Sequence, residues 1–136
     1  LFSNANDLAV IMKMLVNGGH YGGRYYLNEN TIKTFTAYQK TGSRRGLGFD
    51  KPEFNEKRSS AASRRASRAT FGHTGFTGTC VWADPDNDLI YVFLSNRTYP
   101  KMNNYKLVRN NVRTDIHDVI YEAIARGKSS VYAQGR

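Results

Sequence analysis

The sequence predicts a mixed α/β domain of the α+β kind, in which helices flank an antiparallel sheet. Two amphipathic helical patterns, one at each end of the chain, enclose a central region rich in turns and extended segments. The strongest strand signal is the nearly continuous apolar run at residues 89–94. The order helix, short helix, strands and helix places the last helix on the sheet.

The first helix is predicted over residues 4–17. Ser3 is the expected N-cap, because its hydroxyl can accept from a free amide of the first turn, and Asp7 adds negative charge near the positive helix end. Asn17-Gly18-Gly19 ends the helix, since glycine adopts the left-handed conformation at little cost. Apolar residues recur at helical spacing on one face: Leu8, Ile11, Met12 and Leu15.

A second, short helix is predicted to begin at Asn28, which can cap it, with Ile32 and Phe35 facing inward. Tyr26, just before the cap, is expected to pack in the interior. Residues 46–49, Gly-Leu-Gly-Phe, indicate either a short strand or a close approach between backbones.

Two strands, a turn and a final helix complete the predicted fold. Residues 79–83 are extended, and residues 84–88 form a turn because proline presets φ and Asp and Asn bond locally. The final helix should cover one sheet face with an apolar stripe made of Val112, Ile116, Val119, Ile120 and Ala123. Few helices remain for the second face, which we expect to be open.

The chain of 136 residues is one domain in size, and no apolar run is long enough to span a membrane. Its net charge of +9 raises the question of a polyanion partner. Residues 51–70 carry six Lys or Arg, but the cluster at 58–68 has no aromatic residue to stack on a base. We therefore predict a mobile, solvated basic loop at 51–70 and no nucleic-acid partner, with a polyanion site as the alternative.

The sequence shows no metal or cofactor motif. Cys80 is the only cysteine and, within a strand-like run, is expected to be a buried, inert thiol. The three histidines, His20, His73 and His117, lack metal-ligand spacing. The aspartates of the turn at 84–88 lack the glycine and distal glutamate of a calcium loop.

The densest motif is Phe-Gly-His-Thr-Gly-Phe-Thr-Gly at residues 71–78. Each glycine weakens a strand, and three together are explained if a ligand or a neighbouring backbone approaches closely. His73 adds an imidazole that can transfer protons, and Thr74 adds a hydroxyl. The motif alone is equally compatible with a tight glycine turn beside a core histidine.

His73-Thr74-Gly75 resembles Lys-Thr-Gly, the third motif of the serine β-lactamase and penicillin-binding protein superfamily, in the His-x-Gly form of class C-like esterases and aminopeptidases. The resemblance covers residues 1–126 and implies the C-terminal part of such a domain, with a flexible tail at 127–136. Other stretches similar to the family occur in the same order: residues 1–8, 46–49, 84–94 and 95–97.

The resemblance implies a role for each residue of the motif. His73 stands where the family usually has lysine, and would assist proton transfer or orient a substrate carboxylate. Thr74 and Gly75 would bind substrate, and the backbone N–H of Phe76 would supply one oxyanion-hole donor. A neutral imidazole orients a carboxylate more weakly than an ammonium, which favours an esterase or peptidase over a true β-lactamase.

The nucleophile of this family is not in the sequence. The family's Ser-x-x-Lys pair supplies a nucleophile and its base, and none of the nine serines here has lysine three residues later. The only match to the second motif, Tyr26-Leu27-Asn28, follows the first helix, whereas in the family it precedes that helix. We therefore expect the nucleophile in a preceding half of the domain, absent from this sequence.

The sequence thus predicts a fragment of a serine hydrolase that cleaves an amide, peptide or ester bond through an acyl-enzyme. The alternative is a non-catalytic accessory domain of the same fold, fused to another enzyme such as a glycoside hydrolase. Expected partners are a small-molecule or peptidoglycan-like substrate, the missing N-terminal half, and a second copy packed on the open sheet face. The family implies a periplasmic or cell-envelope location.

Overall fold

The computed structural model describes the backbone of residues 2–134 and the side chains of residues 2–127. The fold is mixed α/β with antiparallel sheets and flanking helices, as the sequence predicts. Its elements in chain order are α1 Ala5–Val16, β1 His20–Tyr21, β2 Arg24–Tyr25, α2 Glu29–Thr36, β3 Phe71–Thr74, β4 Cys80–Asp84, β5 Leu89–Phe93, α3 Lys106–Arg109 and α4 Val112–Gln134.

The main sheet is antiparallel, with the strand order β3-β4-β5. His73 of β3 pairs with Val81 of β4, and Trp82 of β4 pairs with Tyr91 of β5. A short helical turn at Pro85–Asn87 joins β4 to β5, which confirms the predicted turn. Strands β1 and β2 form a separate small hairpin that contacts α1.

Helix α1 begins one residue later than predicted, because Asn4 and not Ser3 caps it. The Asn4 side-chain oxygen accepts from the Asp7 N–H at 3.0 Å, and its amide donates to the Asp7 carboxylate at 2.8 Å. The helix ends at the predicted glycines, where Gly18 has a φ of +66°. Asn4 and Asp7 thus bond each other reciprocally, whereas the Ser3 hydroxyl donates to the Asn4 carbonyl at 3.4 Å.

Both faces of the main sheet are covered, so the expectation of an open face is wrong. Met12 of α1 packs with Phe71 and Ala83 on one face. On the other face, Trp82 and its buried neighbours pack against Ala62 of the 51–70 segment and Ile120 of α4. The alternation of side chains along β4 sends Trp82 to one face and Ala83 to the other.

Helix α4 covers the sheet with a face different from the predicted apolar stripe. Ile116 and Val119 are 40% and 62% exposed. The buried residues are Thr114, His117 and Tyr121, with Ile120 partly buried beside them. Their polar groups are tolerated there because partners distant in sequence satisfy most of them, such as the Ser60 carbonyl that accepts from the Thr114 hydroxyl at 2.8 Å.

The 51–70 segment contains no helix or strand, but much of it is not solvated. The Ser63 N–H donates to Nδ1 of His117 at 3.2 Å, and the Ser67 N–H and hydroxyl donate to Asp84 at 2.9 and 2.6 Å. Several small residues are buried, namely Ser60, Ala62, Ser63, Ala66 and Thr70. Solvent exposure is confined to the stretch at residues 55–59 and to three outward arginines, Arg64, Arg65 and Arg68.

The region before the sheet agrees with the sequence only in part. Asn28 caps α2 by accepting from the Asn30 N–H at 2.8 Å, and Ile32 is buried, as predicted. Phe35 and Tyr26 are exposed, so the expectation that they pack inside is wrong. A Cβ added to Gly46 would lie 2.5 Å from the Phe35 carbonyl oxygen, which confirms a close backbone approach.

The C-terminal tail was expected to be flexible from residue 127. The backbone is helical to Gln134, and residues 135 and 136 lie outside the described part of the chain, so the flexibility of the tail stays a prediction. None of the helices in the described region is both long and apolar enough to cross a membrane.

Candidate active site

His73 lies at the exposed end of β3, on the sheet face that carries Phe71. Phe71 is packed beside α1, whereas the His73 side chain two residues further on is exposed to solvent. Its Nδ1 lies 2.7 Å from the Thr74 carbonyl oxygen. Because a carbonyl can only accept, Nδ1 carries the hydrogen, and Nε2 of the neutral ring is left as an acceptor.

The turn after β3 presents the Phe76 backbone. The Gly75 N–H donates to the Thr79 carbonyl at 2.8 Å, and the Gly78 N–H donates to the Gly75 carbonyl at 3.0 Å. No backbone carbonyl of the described residues accepts from the Phe76 N–H. This turn therefore leaves a free donor three residues after His73.

Arg97, just after β5, holds this turn in place; in the sequence it stood out only as part of the family-like stretch 95–97, with no role of its own. Its N–H donates to the Thr77 carbonyl at 2.9 Å. Its guanidinium lies over two rings, 5.0 Å from the centroid of Phe76 and 5.1 Å from that of Tyr105. The same guanidinium donates to the Met102 carbonyl at 3.1 Å. The stacking joins residues far apart in sequence, so no local pattern could have indicated it.

The three glycines of the motif are explained by packing within the chain. A Cβ at Gly72 would lie 2.1 Å from the Val81 carbonyl oxygen, and one at Gly75 would lie 2.2 Å from Oγ1 of Thr79. Gly78 has a φ of +95°, which glycine adopts without strain. Both explanations that the sequence left open therefore apply: close approach of another part of the chain accounts for Gly72 and Gly75, and the turn conformation accounts for Gly78.

The motif thus brings together an imidazole acceptor on His73, the half-buried hydroxyl-bearing Thr74, and the free N–H of Phe76. Among the described residues, no serine hydroxyl is hydrogen-bonded to a lysine amine or to a histidine ring. Ser95, which contacts the turn, donates its hydroxyl to the Thr77 carbonyl at 3.1 Å. Ser95 therefore supports the turn through this bond.

The cysteine and the other two histidines pack within the fold and form no second reactive site among the described residues. Cys80 is buried, as predicted, and burial raises the pKa of its thiol to about 11. Burial lowers the pKa of His117 to about 4, against the opposing charges of Asp118 and Asp84, so its ring is neutral. His20 packs on the ring of Tyr25 at 4.8 Å. In the described part of the chain, no three His, Cys, Asp or Glu side chains are grouped to hold a metal ion.

Comparison with known proteins agrees with the family resemblance. The Beta-lactamase family model matches residues 1–112. A protein of Escherichia coli K12, provisionally named as a D-alanyl-D-alanine carboxypeptidase, is 40% identical over 99 residues, which are 73% of this chain and 23% of that protein. The equivalent protein of Salmonella enteritidis PT4 is 36% identical over 110 residues, which are 81% of this chain and 25% of that protein.

A solved structure shows the same fold. The crystal structure of a β-lactamase from Mycobacterium bovis superposes with a TM-score of 0.63 at 24% identity, over 90% of this chain and 44% of that one. The chain spans about a quarter of the length of the curated relatives it matches. On the family match and the shared fold, the chain belongs to the Beta-lactamase family, within the serine β-lactamase and penicillin-binding protein superfamily.

Proposed function

We propose that this chain supplies one wall of the active site of a serine hydrolase that cleaves an amide, peptide or ester bond through an acyl-enzyme. The observation that carries the proposal is the free N–H of Phe76, held in a fixed turn three residues after His73. A preorganised N–H that binds no other group can stabilise the oxyanion of a tetrahedral intermediate.

The remaining residues of the motif have distinct roles in this proposal. Nε2 of His73 accepts a proton near the nucleophile or, when the ring is protonated, donates to a substrate carboxylate. Thr74 and the backbone of Gly75 bind the substrate along the strand. The family's lysine carries a positive charge that attracts the carboxylate of a β-lactam. A neutral histidine lacks that charge, which favours an ester or peptide substrate.

The nucleophile and its base are proposed to come from chain that precedes this sequence, in a Ser-x-x-Lys motif. The relatives named as D-alanyl-D-alanine carboxypeptidases support peptides ending in D-amino acids as the substrate class, and a periplasmic or cell-envelope location. Nothing in the motif calls for a cofactor.

The rest of the domain is a proposed partner of this chain, and its docking position is the outer edge of β5. Within the described residues, β5 pairs only with β4. An unpaired strand edge offers a row of N–H and C=O groups to another strand.

We expect the isolated chain to self-associate through this edge. A single monomeric species in sedimentation over a wide concentration range would contradict that expectation.

The test uses the gene product extended upstream of Leu1. We compare the extended protein with its His73→Ala and His73→Lys variants on a D-alanyl-D-alanine peptide, a nitrophenyl ester and penicillin. His73→Ala should lower kcat by about 10²-fold, the lower range for loss of a general base. His73→Lys should favour penicillin over the ester. Full activity of His73→Ala would contradict the role given to the imidazole.

The accessory-domain alternative is an outcome of the same test. An extended product without Ser-x-x-Lys, or one that has the motif but hydrolyses none of the three substrates, would favour a binding domain without chemistry.

A further inference from the structure

A pocket lies between α1, α2 and the first residue of β3, apart from the motif at residues 73–76. Its volume is about 540 Å³, within the range of about 300–1,000 Å³ for small-molecule sites. None of residues 73–76 lines it. Much of its lining is apolar and comes from Leu15, Val16, Ile32, Ala37, Phe71 and Pro85.

Lys51 contributes a buried positive charge to this pocket. The residue is only 3% exposed. Its Nζ donates to the Ala69 carbonyl at 3.1 Å and lies 5.0 Å from the centroid of the Tyr38 ring. An ammonium has three donors, and no carboxylate of the described residues forms an ion pair with this one. A buried ammonium without a counter-ion is costly, which favours an anion beside it.

The other charged residues of the pocket add to its positive character. Arg68 and Lys33 line it together with Lys51, and Glu29 is the only acidic residue among the lining residues. Glu29 is already paired with Lys33 at 2.7 Å. Three cations against one paired carboxylate leave the pocket positive overall.

The charge on Lys51 persists at neutral pH. Burial lowers the pKa of its amine to about 8, and the negative charges of Asp84 and Asp86 oppose that shift. Below about pH 8 the amine is therefore mostly protonated, and above it the charge is lost.

We propose that this pocket binds a small monocarboxylate with an apolar tail. The carboxylate accepts from the ammonium of Lys51, with Arg68 at the exposed end of the pocket. The tail lies along Leu15, Ile32 and Phe71, which are the apolar part of the lining. The site is separate from the proposed acyl-transfer wall and does not depend on it.

The experiment is a titration of this chain with octanoate. Calorimetry measures the affinity, and NMR chemical shifts of the backbone amides locate the site. Octanoate should bind at one site and shift the amides of Ala69 and Phe71. Acetate, which lacks the tail, and octan-1-ol, which lacks the charge, should each bind at least tenfold more weakly. Lys51→Met should also weaken octanoate binding at least tenfold, whereas the exposed, pocket-distant Lys57→Met should leave it unchanged.

The pH dependence of octanoate binding and a variant of Arg68 provide two independent tests. Affinity for octanoate should be constant below about pH 8 and fall above it, because only the charged amine attracts the anion. If Lys51→Met does not fold, Arg68→Gln replaces it, since Arg68 is exposed and its loss should weaken binding several-fold. Equal binding of octan-1-ol, no binding of octanoate, or amide shifts confined to residues 73–76 would each overturn the proposal.

Discussion

The guanidinium of Arg97 lies over the Phe76 ring, 5.0 Å from its centroid, and so connects the end of β5 to the turn that presents the Phe76 N–H. A second ring, that of Tyr105, lies 5.1 Å from the same guanidinium on another part of the chain. The orientation of the proposed oxyanion donor therefore depends on a contact outside the His-Thr-Gly motif.

Replacing Arg97 should loosen this turn. Each cation–π contact contributes about 0.5–1 kcal/mol, so Arg97→Gln should destabilise the chain by about 1–2 kcal/mol and speed amide exchange at residues 76 and 77. Arg97→Lys should retain part of the effect, and the exposed Arg109→Gln serves as control. Exchange at Phe76 that is the same in Arg97→Gln and in the parent chain would contradict this function of Arg97.

The glycines of the motif should be intolerant of alanine for steric reasons. Gly72→Ala places a Cβ 2.1 Å from the Val81 carbonyl oxygen, so we expect a loss of at least about 1–3 kcal/mol in urea unfolding. Gly127→Ala is the matched control, because nothing lies within 4 Å of its added Cβ and alanine favours helix by about 1 kcal/mol. Similar effects of the two substitutions would show that close approach does not explain Gly72.

Tyr121 should stabilise the fold because it donates a hydrogen bond to a buried carboxylate. Its hydroxyl donates to Asp84 at 2.5 Å. Burial alone would raise the pKa of Asp84, but hydrogen bonds from Ser67, Tyr121 and Asn87 outweigh it and hold that pKa well below the ordinary value. Tyr121→Phe removes one donor and should cost about 1–3 kcal/mol in thermal or urea unfolding.

The exposed Tyr25→Phe is the control for that substitution and should change stability by less than about 0.5 kcal/mol. A loss from Tyr121→Phe no larger than that from Tyr25→Phe would show that the Asp84 carboxylate does not need this donor.

His117 should make the fold sensitive to acid. Its pKa is about 4 in the folded chain and about 6.5 when unfolded, so between those values the unfolded chain binds more protons. Stability from the neutral ring is thus complete above about pH 6.5 and is lost as the pH falls toward 4, by about 2–3 kcal/mol. Urea unfolding across this range measures the slope.

The slope should decrease in His117→Asn, whose side-chain oxygen takes the position of Nδ1 and can accept from the Ser63 N–H, and should persist in His73→Ala. An unchanged slope in His117→Asn would assign the acid sensitivity to other groups.

The sequence alone predicted those features of the fold that depend on residues close together in the chain. The helix cap at Asn28, the turn at residues 84–88 and both strands flanking it depend on residues a few positions apart. The cap of α1 differed by one residue because Asn4 and Asp7 engage each other in a reciprocal pair, which spacing alone does not rank above a serine cap.

Features set by distant residues could not be predicted. The buried face of α4 consists of Thr114, His117 and Tyr121, whose polar groups would be excluded from a core by pattern alone. They are admitted because Ser60 and Ser63, 54 residues earlier, and Asp84 bind Thr114, His117 and Tyr121 respectively. The same holds for the candidate site. The His-Thr-Gly motif consists of adjacent residues and was found in the sequence, whereas the stacking of Arg97 on Phe76 joins distant residues and was not predicted.

If this chain provides one wall of an acyl-transfer site and no nucleophile, it should not be acylated by itself. This is tested by the intact mass of the chain, alone and extended upstream, after incubation with a fluorophosphonate and with penicillin. We expect no adduct on the chain alone and a single fluorophosphonate adduct on the extended protein, at a serine before Leu1. A stoichiometric adduct on any of the nine serines of this chain would contradict this expectation.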